Sequence, residues 1–191
     1  MTEQLIENFF GGGTQAVDVS NYRCGFVAIV GRPNVGKSTL LNHLLGQKLS
    51  ITSRKPQTTR HKILGIVTQD KVQAIYVDTP GMHKREPRAI NRYMNKAAQS
   101  ALKDVDLVLF VVDAMKWTPD DDLVLEKLEH TDTPVLLVLN KVDTIDDKDA
   151  LLPYLEELNK KRHFSEVIPL SALRGHNLPQ LHEVVSRSSL Q

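Results

Sequence analysis

The sequence carries little net charge, one cysteine and no long apolar run, and each shortage excludes a class of protein. Its 24 Lys and Arg balance 23 Asp and Glu to a net charge of +1, so no overall basic field attracts nucleic acid or anionic membrane. Cys24 alone can form neither an intrachain disulfide nor a thiolate zinc site, and we expect it to be a small buried hydrophobe in a reducing compartment. The longest apolar runs fall far below the roughly 18 residues of a membrane helix.

The length fits one globular domain preceded by a short extension. At roughly 150 residues per domain, the chain has no room for a second full domain. Residues 1–22 contain Gly11-Gly12-Gly13 and little periodicity, so we predict a flexible extension there and a folded domain over 23–191. Those first residues contain no Lys or Arg, and they therefore lack the positive segment of a secretory signal.

Short β-rich runs alternate with amphipathic stretches from Cys24 onward. The alternation predicts an α/β fold with three layers around a mostly parallel sheet. The linker Asp70-Lys71 is too short for a crossover helix, so the strands it joins should form an antiparallel hairpin at one edge. We predict six strands at 24–30, 62–69, 72–78, 106–112, 134–139 and 166–170, and five helices at 37–45, 88–102, 119–130, 147–162 and 177–187.

The segment Thr118-Pro119, followed by three aspartates at 120–122, predicts the start of a helix. A threonine cap, a proline at the first helical position and acids beside the positive end of the dipole all stabilise a helix N-terminus. An acidic triplet can also suggest a divalent-metal site, but the preceding threonine and proline favour the cap.

A phosphate-binding loop is predicted between the first strand and the first helix. Residues 31–38 match G-x-x-x-x-G-K-[ST], in which the glycines let backbone N–H groups wrap around phosphate. Lys37 should reach the β and γ phosphates, and the Ser38 hydroxyl should ligate Mg²⁺. A glycine-rich turn without a ligand would not explain the Lys-Ser pair. The predicted nucleotide-binding residues are Gly31, Arg32, Pro33, Asn34, Val35, Gly36, Lys37, Ser38 and Thr39.

The tetrapeptide Asp78-Thr79-Pro80-Gly81 should complete the phosphate side of the site. It ends a strand, and ligands in open α/β sheets gather at the carboxyl ends of strands, so Asp78 can hold Mg²⁺ from a second side. The N–H of Gly81 is suited to sense the γ-phosphate, because a residue without Cβ lets the backbone approach closely. Alone the tetrapeptide is an ordinary turn. The preceding phosphate loop favours the functional interpretation.

The segment Asn140-Lys141-Val142-Asp143 predicts that the base is guanine. Guanine offers two adjacent donors that adenine lacks, and the Asp143 carboxylate can accept from both, which argues against an ATPase. Asn140 can bond the base and tie its loop to the phosphate loop, while the Lys141 stem covers the ring. The weaker signal of Ser171-Ala172-Leu173 would point a backbone N–H at guanine O6.

Together these motifs resemble the translation-factor class of GTPases, and the fuller text is similar to the GTPase domain of the Era family. The likeness covers residues 24–187 and rests on GRPNVGKSTLLNHLLGQKLSITSRKPQTTRHKILGI, DTPGMHK, RAINRYMNKAA and WTPDD. It implies a Ras-like G domain that hydrolyses GTP to GDP with Mg²⁺ and acts in assembly of the small ribosomal subunit and its 16S rRNA. It also implies a cytoplasmic protein, partly peripheral at the inner membrane, with an RNA-binding KH domain following. We expect a monomer.

The resemblance places a switch segment around Gln57-Thr58-Thr59-Arg60. A threonine there would meet Mg²⁺ and γ-phosphate; we favour Thr59, with Thr58 as the alternative. An ordinary loop would have the same composition.

Met82 stands where the Ras pattern has a water-orienting Gln. A thioether cannot orient water, so we predict slow intrinsic hydrolysis, with Lys37, Thr59, Gly81 and Asn34 as the catalytic set. Related GTPases with Asn at the position of Asn34 use it to hold K⁺ beside the phosphates. The alternative is that Asn34 merely shapes the loop.

Two other functions stay open. Met82 favours a GTP-binding scaffold that does not hydrolyse its ligand. An RNA-binding assembly factor is disfavoured by the low net charge, although Arg88, Arg92 and Lys96 recur on one face of a predicted helix. That face is either solvated or in contact with ribosomal RNA.

Overall fold

A computed structural model describes residues 23–46, 62–69, 71–79 and 102–188 of the chain. These residues form one six-stranded sheet, flanked by α-helices. The strands are β1 (Arg23–Val30), β2 (Lys62–Gln69), β3 (Val72–Asp78), β4 (Leu107–Asp113), β5 (Val135–Asn140) and β6 (Glu166–Pro169). The helices are α1 (Lys37–Gly46), α2 (Pro119–Leu128), α3 (Leu151–Lys161) and α4 (Leu178–Ser188), with 3₁₀ turns at Val142–Thr144 and Lys148–Ala150.

The sheet has the strand order β2-β3-β1-β4-β5-β6 and is parallel except at one edge. β2 pairs antiparallel with β3, from Lys62 opposite Asp78 to Gln69 opposite Val72. The other neighbouring strands pair in parallel. The short link at 70–71 allows no crossover, so the predicted antiparallel edge strand is confirmed.

Apolar side chains cover both faces of the sheet and produce three layers. Along β1, Val27 and Ile29 pack on one side with residues of α1 and α4, whereas Ala28 and Val30 pack on the other side with residues of α2 and α3. This alternation follows from the two-residue period of a strand. β5 is buried along its whole length because helices cover both faces. The predicted three-layer α/β fold is confirmed.

The helix cap predicted at Thr118-Pro119 is confirmed. The Thr118 N–H donates to Asp121 Oδ2 at 2.9 Å, and the helix begins with the proline. The helix predicted over 147–162 is shorter than expected. A 3₁₀ turn occupies its start and α3 begins at Leu151, with Pro153 in the first turn, where a missing N–H costs no helical hydrogen bond.

The expectation that Cys24 is buried is wrong. The residue is exposed, and its Sγ lies 3.7 Å from Gln73 Oε1. The first two residues of β1 are exposed, and burial begins at Gly25, so an apolar run in the sequence does not guarantee burial at its end.

Several predicted segments lie outside the described residues: the extension over 1–22, the switch segment with Thr58 and Thr59, and the stretch with Gly81 and Met82, together with Arg88, Arg92 and Lys96. In the part of the chain that is described, no helix is both long and apolar enough to cross a membrane.

Candidate nucleotide-binding site

Two glycines allow the loop between β1 and α1 to pass close to neighbouring strands. A Cβ on Gly31 would lie 2.2 Å from the carbonyl oxygen of Val111. Gly36 has a φ of +97°, and a Cβ there would lie 2.2 Å from Asn140 Nδ2. Any side chain at either position would displace the loop, and α1 begins directly after Gly36. The loop therefore presents backbone N–H groups at a helix N-terminus, which is a favourable place for phosphate.

Lys37 reaches back across this loop. Its Nζ donates to the carbonyl oxygens of Gly31 at 2.7 Å and Arg32 at 2.8 Å. Burial lowers the pKa of Lys37, and the carboxylate of Asp78 acts in the opposite direction. The ammonium group therefore lies at the mouth of the loop, where its charge can meet an anion.

A cavity of about 400 Å³ opens beside the loop, within the size range of small-molecule sites. Residues from three predicted motifs line it together: the phosphate loop, the segment over 140–143 and the triplet over 171–173. The lining residues are Asn34, Gly36, Lys37, Ser38, Thr39, Asn140, Lys141, Asp143, Thr144, Ala172 and Leu173. Thr144 is an addition that the sequence motifs did not indicate.

A second recess of about 350 Å³ shares Lys37 and Ser38 with the cavity and extends to Asp78 at the end of β3. Ser38 offers a hydroxyl oxygen and Asp78 a carboxylate oxygen, and oxygen ligands are those that Mg²⁺ prefers. The donor set therefore fits a magnesium ion. The third predicted ligand, Thr59, lies outside the described residues.

Asn140 joins the loops around the cavity. Its Nδ2 donates to the carbonyl oxygen of Val35 at 2.8 Å, and its Oδ1 accepts from the N–H groups of Lys141 at 2.8 Å and Ala172 at 2.9 Å. The side chain thus ties its loop to the phosphate loop. The Ala172 N–H is thus bonded to Asn140, and the expectation that a backbone N–H of the triplet over 171–173 points at guanine O6 stays a prediction. Leu173, which is 68% exposed, forms part of the cavity wall.

The Asp143 carboxylate is exposed beside the cavity. A hydrogen bond from the buried Ser171 hydroxyl is the largest cause that lowers the pKa of Asp143, and the charges of Arg174 and His176 add to it. An ionised carboxylate only accepts hydrogen bonds, so it suits a base edge that carries donors.

Lys141 is held by an acidic partner that the sequence motifs missed. The residue has a left-handed φ of 68°, and its Nζ lies 2.7 Å from Asp113 Oδ2. Asp113 ends β4 as Asp78 ends β3. Because ligands gather at the carboxyl ends of the strands, the reasoning that predicted Asp78 as a site residue applies to Asp113 as well.

Four residues of the phosphate loop do not line the cavity: Gly31, Arg32, Pro33 and Val35. Val35 is fully buried in the core, and Pro33 is exposed away from the lining. The Arg32 side chain points toward α2, where its Nε lies 2.9 Å from Asp121 Oδ2. These residues could therefore contribute to nucleotide binding only through the backbone of the loop, not through side chains in the cavity wall.

The sequence of the chain is similar to known GTPases. Residues 26–141 match the family model described as 50S ribosome-binding GTPase. GTPase Era of Marinobacter nauticus is 69% identical over 165 residues, which is 86% of this chain and 54% of that protein. GTPase Era of Azotobacter vinelandii is 62% identical over 167 residues, 87% of this chain and 56% of that protein. The chain thus spans about half the length of these curated relatives.

Solved structures of Era are similar in fold. Era in complex with MgGDPNP and nucleotides 1506–1542 of 16S ribosomal RNA matches 89% of this chain and 58% of its own, with a TM-score of 0.70 and 39% identity. A variant of Aquifex aeolicus Era bound to GDP.AlF4⁻ matches 88% of this chain and 58% of its own, with a TM-score of 0.66 and 37% identity.

Proposed function

This chain belongs to the 50S ribosome-binding GTPase family, and we propose that it binds GTP, hydrolyses it to GDP and acts as a nucleotide-dependent switch in assembly of the small ribosomal subunit. The observation that carries the proposal is the side chain of Asn140. It joins the phosphate loop to the segment over 140–143, which we call the base-reading segment, around one cavity. The high identity to Era GTPases supports it.

The phosphates of the nucleotide would lie against the backbone of the loop and the N-terminus of α1. Lys37 would exchange its two carbonyl acceptors for phosphate oxygens, which carry more negative charge. Ser38 and Asp78, with Thr59, would hold Mg²⁺, and that ion neutralises charge on the phosphate oxygens when bound. Catalysis in this scheme is positioning and electrostatic stabilisation, and Gly81 would sense the γ-phosphate.

The base would be read as guanine by the ionised carboxylate of Asp143. Its exposure lets it accept two hydrogen bonds from the base edge, and the hydrogen bond from Ser171 lowers the pKa of the carboxylate. Isothermal titration of this chain with GDP, GDPNP and ADP in Mg²⁺ buffer tests the assignment. We expect the guanine nucleotides to bind and ADP to fail. Equal affinity for ADP and GDP, or no binding of any of them, would contradict the proposal.

Hydrolysis by the isolated chain should be slow, because Met82 replaces the Gln that orients water in Ras-type enzymes. Single-turnover release of phosphate from GTP measures it directly. No release above the rate of free GTP would favour the alternative, a GTP-binding scaffold, for which Met82 is the argument.

Asn34 is the candidate ligand of a potassium ion that would offset transition-state charge. Asn34 lines the cavity, and its φ of 66° places its backbone in the left-handed region. Asn34→Gly keeps that conformation available while it removes the side chain. We expect hydrolysis to be faster in K⁺ than in Na⁺ and the variant to lose this difference. Equal rates in the two salts for the native chain would refute the potassium site.

The ribosomal role of this chain is a proposal from its relatives. One similar structure is Era with a fragment of 16S ribosomal RNA. We expect the partner to be the small ribosomal subunit, contacted mainly by a KH domain in the part of the longer proteins that this chain does not span. The protein would be a cytoplasmic monomer with peripheral contact at the inner membrane. Cosedimentation with small subunits in GDPNP and in GDP tests the partner, and the longer relative should bind more tightly than this chain.

A further inference from the structure

Arg32 belongs to the phosphate loop, yet its side chain is anchored outside the cavity. Its Nε lies 2.9 Å from Asp121 Oδ2, and its Nη2 donates to the carbonyl oxygen of Lys116 at 3.2 Å. The side chain of Arg32 is 13% exposed and that of Asp121 is 0% exposed. Two elements far apart in sequence, the phosphate loop and the first turn of α2, are therefore joined by a largely desolvated ion pair.

The Arg32 guanidinium also lies near an aspartate that contacts the base-reading segment. Arg32 Nη2 lies 4.0 Å from Asp113 Oδ2, and that oxygen accepts a hydrogen bond from Lys141 Nζ at 2.7 Å. The residues Lys141, Asp113, Arg32 and Asp121 thus form a row of alternating charges, which we call the ion-pair row. It runs from the segment that reads the base, past the end of β4 and the phosphate loop, to α2.

The backbone of Arg32 connects this row to Lys37. The carbonyl oxygen of Arg32 accepts from Lys37 Nζ at 2.8 Å. Three residues further on, the carbonyl oxygen of Val35 accepts from Asn140 Nδ2 at 2.8 Å. The loop is therefore held by Lys37 through the carbonyl oxygens of Gly31 and Arg32, and by Asn140 through that of Val35. If Lys37 exchanges its carbonyl acceptors for phosphate oxygens, the side-chain contacts of Arg32 and the bond from Asn140 still hold the loop.

We propose that Arg32 is a positioning residue, which acts through Asp121 and Asp113 to hold the phosphate loop in register with the base-reading segment and so sets the affinity of the cavity for guanine nucleotides. This inference rests on the proposed function and deepens it. Arg32 is not among the residues that line the cavity, and its side chain is bonded to Asp121 instead, so its role is to position the loop rather than to bind the nucleotide.

If the ion-pair row acted only through its charge, mutation of an anion in it would tighten nucleotide binding, whereas a positioning role predicts weaker binding. The row holds two cations and two anions, so it adds no net charge beside the phosphates. Asp121→Asn removes one anion and leaves the region more positive, and charge alone would then tighten binding of a polyanion. Loss of positioning weakens binding instead. The sign of the change therefore separates the two roles.

The test is the affinity and dissociation rate of a fluorescent GDP for the 191-residue chain in Mg²⁺ buffer. We expect Asp121→Asn to weaken GDP binding about tenfold, as loss of one charged hydrogen bond typically does, mainly through faster dissociation. Asp122→Asn is the matched control. It removes the same charge one position along α2, where the carboxylate is bonded to Trp117 and Lys161 rather than to the loop, so affinity should not change.

Two further variants separate positioning from loss of stability, since Asp121 also caps α2. Val124→Ala weakens the buried apolar cluster beneath α2 and removes no charged group, so it should leave GDP affinity unchanged. Asp113→Asn removes the other anion of the row and should also weaken GDP binding. In the double variant Asp113→Asn/Asp121→Asn, the fold-loss in GDP affinity should be smaller than the product of the two single losses.

Unchanged or tighter GDP binding by Asp121→Asn, or an equal loss in Val124→Ala, would overturn the inference while the proposed function stands. A native chain that binds no GDP at all would overturn the proposed function itself.

Discussion

The side-chain amide of Asn140 donates to the carbonyl oxygen of Val35 at 2.8 Å, although the two residues are 105 positions apart in the sequence. Its other amide atom, Oδ1, accepts from the N–H of Ala172 at 2.9 Å. Asn140 is buried, so the groups that it satisfies have little access to water. One side chain at the end of β5 therefore fixes the relative positions of the phosphate loop and the last loop of the cavity.

Asn140→Ala should destabilise the fold as well as the site. The change leaves the Val35 carbonyl and the Ala172 N–H without this partner, and a buried polar group without a partner costs about 1–3 kcal/mol. We expect the free energy of unfolding to fall by about 3 kcal/mol, as measured by urea denaturation without nucleotide. Thr144→Ala, which removes an exposed hydroxyl bonded to the Lys141 carbonyl in the same loop, is the control. Equal stability of the two variants would show that the Asn140 bonds contribute nothing.

Asp143→Asn should exchange guanine for xanthine. The amide offers a donor where the carboxylate offers only acceptors, and xanthine presents an oxygen where guanine has its amine. GDP affinity should fall roughly 100-fold, the discrimination that a bidentate contact to a base gives, while xanthosine diphosphate gains affinity. Competition titration of the two nucleotides measures the exchange. Asp146→Asn, a neutralised acid three positions further on, should leave the GDP preference intact; an unchanged preference in Asp143→Asn would remove Asp143 from base recognition.

The fold could be predicted from local signals because each of them depends on neighbouring residues. Apolar runs of strand length predicted all six strands, and a link at 70–71 that is too short for a helix predicted the antiparallel edge. The start of α2 followed from Thr118 and Pro119. The start of α3 could not be predicted, because no cap residue marks it and a 3₁₀ turn precedes it.

The motifs of the sequence predicted which residues form the candidate site, but not the tertiary contacts between them. The sequence indicates that residues 31–38 form a phosphate loop, but it does not show that Arg32 turns toward Asp121, which lies 89 positions away. The pairing of Lys141 with Asp113 and the use of the Ala172 N–H by Asn140 are likewise products of tertiary structure. Cys24 was misjudged because composition does not reveal which residues of a strand are exposed.

Gly36→Ala should disable the phosphate loop. The backbone φ of +97° is unfavourable for any L side chain, and the added Cβ would lie 2.2 Å from Asn140 Nδ2. We expect a loss of about 2 kcal/mol in the free energy of unfolding, together with loss of GDP binding by titration calorimetry. Gly46→Ala is the matched control, since a Cβ at the end of α1 meets nothing within 4 Å. Native GDP affinity in Gly36→Ala would refute the close approach between this loop and Asn140.

The exposed thiol of Cys24 should react more slowly than its accessibility suggests. Partial burial raises the pKa of Cys24, and the negative charge of Asp106 raises it further, so less thiolate is present at pH 8 than in a free peptide. Since folding raises the pKa of an acid, the protonated thiol is favoured in the folded chain, and its contribution to stability declines as the pH passes the unfolded pKa. The rate of iodoacetamide alkylation against pH measures the shift. Its midpoint should lie higher for the folded chain than for the same chain in urea, and identical profiles would contradict the predicted shift.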